Sequence, residues 1–117
     1  MPSRSRRSSS RHSLAPLAAA LGLCSIGLGA AAPAAKPATH TVVMEAVSFQ
    51  PADLTVRAGD SVVWVNKDPY PHTATSDRFD SKIIAADRSW RYTAKAPGEF
   101  PYVCTLHPTM KGTLRVR

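Results

Sequence analysis

Three side chains that bind soft metals recur at a step of three near the end of the chain: Cys104, His107 and Met110, in the stretch CTLHPTM. A thiol, an imidazole and a thioether in a tight loop before the last strand can bend toward one point. Pro108 and the polar Thr105 and Thr109 keep that loop from continuing as helix. A fourth donor has to come from elsewhere in the chain. His72, in DPYPHTATS just after the strand around Trp64, is well placed, because loops at one end of a sandwich gather together. His40, at the start of the first strand, is the competing histidine.

One thiolate, two imidazoles and a thioether mix borderline and soft donors, and a trigonal His₂Cys set with a distant axial Met suits copper. Structural zinc prefers several cysteines, usually as closely spaced pairs, and calcium or magnesium would ask for clustered oxygens. Each residue also has a plainer reading: Cys104 as a small buried hydrophobe, His107 as a surface residue, Met110 as a gap filler. Their joint occurrence at this spacing argues for a metal.

The charge balance points to export. The chain has 117 residues and a formal net charge of +7, enough for one domain. The first thirteen residues, MPSRSRRSSSRHS, carry Arg4, Arg6, Arg7 and Arg11, and the uncharged Ala- and Leu-rich run LAPLAAALGLCSIGLGAAA follows. A basic start, an apolar stretch and the small residues of AAPAAKPA predict a signal peptide over residues 1–35, cleaved near its end, and a mature domain over residues 36–117. Leu14 to Ala35 is about long enough to span a bilayer, but Pro16, Pro33 and several small residues interrupt it. A cleaved signal is therefore the preferred reading, with no stable membrane insertion afterwards and a periplasmic or secreted product.

Four of the fifteen basic residues leave with the leader, so 11 Lys and Arg remain against 8 Asp and Glu. A nucleic-acid partner loses its support, and a modest preference for an acidic partner remains. Cys24 lies in the leader, so the mature domain keeps only Cys104. It can form no internal disulfide, and an unpaired thiol in an oxidising compartment needs burial or a bonding partner.

The elements that must position these residues read as strands. HTVVMEAVSF is β-branched and apolar, and LTVRAGDSVVWVN reads as two strands around an Ala58-Gly59-Asp60 turn. RSWRYTAKAPGEFPYVC is expected to fold back as a hairpin at Pro97-Gly98. By the period of two, Trp90, Tyr92 and Ala94 share one face, as do Phe100, Tyr102 and Cys104. No window shows a sustained helical period, and at most a helical turn is expected near Ile83 to Asp87. The expected fold is all-β: a Greek-key antiparallel β-sandwich or barrel of about seven or eight strands, monomeric, with Trp64 as the main core residue and Phe49, Phe79, Trp90 and Tyr102 behind it.

FQPADLTVRAGDSVVWVNKDPYPHTATS, FDS and PGEFPYVCTLHPTMKGTLRV resemble the cupredoxin family, the type 1 blue copper proteins, from about residue 40 to residue 117. The likeness is to its amicyanin- and plastocyanin-like members, and CTLHPTM is similar in length to the amicyanin copper loop. The resemblance implies one type 1 copper held by His72, Cys104, His107 and Met110, and a carrier of single electrons rather than an enzyme. It also implies that redox partners dock near His107, on an apolar patch of Tyr70, Pro71, Leu106 and Pro108. Two positions depart from the family pattern. Thr73 stands where many members have an Asn that braces the ligand loops, and its side chain reaches less far. Leu106 stands where a proline is common in amicyanins.

Copper storage or delivery is the other function this ligand set could serve. It would favour an open strip rich in Met and His, whereas the mature chain holds only Met44 and Met110. An enzymatic copper site would need a further copper with an open position, which His40 alone cannot build.

Overall fold

β-Branched and aromatic residues alternate with polar ones from residue 39 onward, and the chain forms strands wherever they do. The structure is a computed structural model that describes residues 36–117, together with Gly22 and Gly27 as isolated positions. The expected leader and its cleavage point lie outside the described residues. Seven strands follow in order: β1 Thr39–Glu45, β2 Ser48–Gln50, β3 Asp53–Val56, β4 Ser61–Asn66, β5 Ser89–Thr93, β6 Gly98–Cys104 and β7 His107–Val116. They make two sheets, ordered β2-β1-β4-β5 and β3-β7-β6. There is no helix among the described residues, and near Ile83 to Asp87 the chain makes a β-turn, closed by Arg88 N–H donating to Ala85 O at 3.0 Å.

The inner faces read directly from the alternation. Val62, Trp64 and Asn66 of β4 turn inward, as do Met110, Leu114 and Val116 of β7 and Tyr102 and Cys104 of β6. Trp64 is the hub, with the rings of Phe79, Trp90 and Tyr102 at centroid distances of 5.4, 5.5 and 5.5 Å. Phe49 meets Tyr102 edge-on at 4.6 Å. The expected aromatic core is therefore the observed one. Gly112, opposite Tyr102 in the β6–β7 pair, leaves room for the tyrosine ring to lie across β7.

The all-β sandwich stands, but its sheets are mixed rather than purely antiparallel. β1 runs parallel to β4, and β3 parallel to β7. The reason lies in the connections. The links from β2 to β3, β3 to β4 and β5 to β6 each pass from one sheet to the other, so the strands they join do not pair, and strands brought side by side by these crossings can run the same way.

The turn expected at Ala58-Gly59-Asp60 forms, with Asp60 N–H on Arg57 O at 3.0 Å and Gly59 at φ 97°. Glycine takes that left-handed conformation without steric cost. The hairpin expected at Pro97-Gly98 does not form: β5 pairs with β4, and β6 with β7. Ala94 N–H donates to Asp60 O at 2.8 Å and Ala94 O accepts from Gly59 N–H at 2.6 Å. These bonds pin the end of β5 to the 57–60 turn, and the chain leaves for the opposite sheet.

HTVVMEAVSF also divides. Ala46 and Val47, at φ 50° and 55°, form a two-residue reverse turn between β1 and β2. Between β4 and β5 the chain runs without a regular strand but is firmly held. His72 and Ile84 exchange backbone hydrogen bonds of 3.1 and 2.8 Å, and Thr75 and Val103 exchange bonds of 3.0 and 2.9 Å. The second pair ties the His72 segment to β6.

Candidate metal centre

Cys104 ends β6, and only Thr105 and Leu106 separate it from β7. The segment is tighter than the loop expected from the sequence, since His107 to Met110 already belong to the strand. Pairing shifts register between Val103 and Cys104, and strict alternation slips at Pro108 and Thr109, which are both exposed. A three-residue step from His107 to Met110 thereby leaves His107 half-buried and Met110 buried.

The fold brings three of the four expected donors together. The ligating atoms of His72, Cys104 and His107 all lie within 4.8 Å of one another. Cys104 Sγ is 3.6 Å from His72 Nδ1 and 3.7 Å from His107 Nδ1, and the two imidazoles meet at a centroid distance of 4.9 Å. Met110 lies in the same buried cluster as Cys104. His40 is not part of the group. Its Nε2 sits 2.9 Å from Asp60 Oδ2, beside the 57–60 turn.

The spacing fits a bound ion. Nitrogen and sulfur donors bonded to a first-row metal at about 2.0 and 2.3 Å, at trigonal angles, stand about 3.7 Å apart. The donor set suits one soft or borderline ion, and Cys104 and His72 are both fully buried.

Two of the expected donors, Cys104 and His72, are held from behind. Thr73 N–H donates to Cys104 Sγ at 3.3 Å, a contact that fixes where the sulfur sits. Thr73 Oγ1 accepts Thr105 N–H at 2.9 Å and lies 3.1 Å from Thr105 Oγ1. The short reach expected of Thr73 is thus made up by Thr105, which brings its own N–H and hydroxyl to it. Thr75 Oγ1 extends the chain of contacts, 3.0 Å from Thr73 Oγ1 and 3.2 Å from Asp80 Oδ1.

Behind His72 stands Asp68, with Oδ2 at 2.7 Å from the ring Nε2. A carboxylate there makes Nε2 the donor and leaves Nδ1, which faces Cys104 Sγ, free to accept a metal. Burial pushes the Asp68 carboxyl up, but hydrogen bonds from His72, Val47 and Ala46 outweigh it and hold the group below the usual carboxylate value. The sequence reading missed both Asp68 and Thr105. Asp68 sits four residues before His72 in NKDPYPH, where an Asp next to Pro reads as a turn residue.

The outer side of the site is apolar. Tyr70 lies 5.4 Å from the His72 ring and 5.7 Å from the His107 ring. Tyr70 and Leu106 are 38% and 46% exposed, and Pro71 and Pro108 are exposed beside them.

A family model described as a cupredoxin-like domain matches residues 14–116. Amicyanin from Paracoccus versutus is 31% identical over 88 residues, covering 68% of this chain and 67% of its own. Chloroplastic plastocyanin from Tetradesmus obliquus is 35% identical over 77 residues, covering 53% of this chain and 52% of its own. The solved structure of an oxidised amicyanin variant superposes with a TM-score of 0.64 over 67% of this chain and 81% of that one, and at 22% identity it speaks for the fold alone. The copper-containing nitrite reductase from Thermus scotoductus SA-01 is 31% identical with a TM-score of 0.65, over 74% of this chain but only 24% of the enzyme.

Proposed function

The chain belongs to the cupredoxin-like family, and from that premise we propose that it is an exported carrier of single electrons, with one type 1 copper held by His72, Cys104, His107 and Met110. The observation that carries this reading is the convergence of two imidazole Nδ1 atoms on one buried sulfur, at 3.6 and 3.7 Å. When bound, copper supplies the one-electron couple between its cuprous and cupric states.

The chain's own residues make the exchange fast by staying where they are. Cu(I) and Cu(II) prefer different geometries, so a site held between the two needs little rearrangement. Asp68 fixes the His72 ring, the Thr73–Thr105 pair clamps the two ligand-bearing segments together, and the surrounding core excludes water. The thiol of Cys104 gives up its proton on loading, which makes copper affinity fall at low pH.

His107 is the exit. It is half-buried, lies 5.7 Å from the Tyr70 ring and 3.7 Å from the sulfur, and is flanked in sequence by the exposed Leu106 and Pro108; with Tyr70 and Pro71 these form the docking patch for a redox partner. The protein acts as a monomer, released to the periplasm or exterior when residues 1–35 are removed. Burial of Cys104 and His72 speaks for a carrier over copper delivery, because a cargo ion has to leave through exchangeable, accessible ligands. The nitrite reductase likeness spans a quarter of that enzyme and fits a shared domain fold. Catalysis would need an open metal position beyond this ligand set.

The test is electronic absorption and electron paramagnetic resonance of the copper-loaded protein together with reversible voltammetry. An intense thiolate-to-copper band with a reversible one-electron wave supports the reading, and rapid loss of copper to a mild chelator without unfolding would favour delivery instead.

A further inference from the structure

One carboxylate behind the His72 imidazole has three N–H groups on it. Asp68 Oδ2 accepts His72 Nε2–H at 2.7 Å and Val47 N–H at 3.0 Å, while Oδ1 accepts Ala46 N–H at 2.8 Å. Ala46 and Val47 are the central residues of the β1–β2 reverse turn, at φ 50° and 55°. Two-residue turns of this hand ordinarily use Asn-Gly or similar pairs, because left-handed backbone is costly for residues with a Cβ and most of all for β-branched ones. Ala-Val offers neither conformational freedom nor a side-chain acceptor. Strained backbone of this kind persists only where its surroundings over-determine it, and here two carboxylate oxygens take the two N–H groups that the turn presents.

Asp68 is itself fixed. Its N–H donates to Asn66 Oδ1 at 2.9 Å, and Asn66 Nδ2 donates to Tyr70 O and Ile84 O at 2.9 and 3.0 Å. Lys67 N–H donates to Met44 O at 2.8 Å, drawing this segment against the end of β1. Among the described residues, no Lys or Arg is paired with Asp68, and its side-chain partner is the His72 ring.

We propose that Asp68 is a positioning residue that makes the Ala46–Val47 turn part of the frame of the metal site: the turn holds the carboxylate, and the carboxylate holds the His72 ring. The link between turn and ring stands on geometry alone, whereas its consequence for copper rests on the electron-carrier reading above. A fixed negative charge one hydrogen bond behind a ligand favours the cupric state. Neutralising it shifts the reduction potential upward.

The link is tested on the metal-free protein by nuclear magnetic resonance, following amide exchange at residues 46 and 47 and the Nε2 proton of His72. In Asp68→Asn and Asp68→Ala the two amides are expected to exchange at least about tenfold faster, and Asp68→Ala is expected to lose the protected Nε2 proton. Adding Ala46→Asn with Val47→Gly gives the turn its own preference. In the Asp68→Ala background that pair should restore the amides but leave the Nε2 proton exposed. The same pair supplies a stable host should either Asp68 substitution prevent folding.

Amide rates within about twofold of the parent protein in the Asp68 variants, or an equally protected Nε2 proton, would overturn the link. On the copper-loaded protein, Asp68→Asn should raise the potential with the visible spectrum kept, and an unchanged potential would overturn the electrostatic role. If the parent protein lacked a thiolate–copper spectrum while the amide effects appeared, the electron-carrier reading would fail and the turn-to-ring link would stand.

Discussion

The backbone N–H of Thr73 donates to Cys104 Sγ at 3.3 Å, joining two segments 31 residues apart in sequence. The same residue accepts Thr105 N–H on its hydroxyl at 2.9 Å. One residue thus contacts the sulfur through its backbone and braces the sulfur-bearing turn through its side chain. Both contacts help keep the pocket in one shape while the charge at its centre changes.

Removing that hydroxyl tests the brace. Thr73→Ala leaves the Thr105 N–H without its acceptor and should cost about 1 kcal/mol in stability, with a broader copper resonance as the ligand turn loosens. Thr73→Ser keeps the acceptor and should restore most of both. Thermal denaturation and paramagnetic resonance line widths are the measurements.

Packing of β6 on β7 depends on the absence of a side chain at Gly112. A Cβ there would lie 2.4 Å from Tyr102 Cζ, 2.5 Å from its hydroxyl oxygen and 2.9 Å from Ala52 O. Gly112→Ala should destabilise by about 1–3 kcal/mol, because the ring is enclosed by core and the carbonyl is backbone. Denaturant unfolding measures it.

The Tyr102 phenol, buried in the core beside Trp64, gives a pH signature at the alkaline end. Burial pushes its phenol from 10.0 up to about 12. A folded-state value above the unfolded one means that the folded chain keeps the proton longer. The contribution is fully present below about pH 10 and is lost as pH rises toward 12. Tyr102→Phe should flatten this part of the stability profile, and an unchanged alkaline transition would contradict it.

Asp60 works in the opposite direction. Hydrogen bonds from Ala38 N–H, the His40 ring and Arg57 N–H lower its carboxyl to about 2, with burial opposing them. Stability from this group is present above the ordinary value of 3.8 and is lost as pH falls toward 2. Asp60→Asn should remove the acid transition that belongs to this cluster while leaving copper binding intact, since His40 and Asp60 are not part of the donor group.

Much of this was legible in the sequence because it is local. A period of two put Trp64, Tyr102 and Cys104 inward, and the Cys-x₂-His-x₂-Met spacing pointed to Cys104 and His107, which the fold brings together with His72. What the sequence hid depends on distant contacts. Pro97-Gly98 carries the same turn chemistry whether the flanking strands pair or part, and the parting is decided by Ala94 bonding to Asp60. The break at Ala46-Val47 has no Gly or Asn to announce it, because its stabilising acceptor is Asp68. Parallel pairing of β1 with β4 follows from sheet crossings that no single window contains.

The central claim is that the sulfur of Cys104 and the Nδ1 atoms of His72 and His107 hold one copper ion in a preset pocket. Its most direct test is the visible and paramagnetic resonance spectrum of the copper-loaded protein beside Cys104→Ser. An intense visible band with narrow copper hyperfine splitting, both lost in Cys104→Ser, is the predicted result. A weakly coloured copper spectrum that is the same in the parent protein and in Cys104→Ser would contradict it.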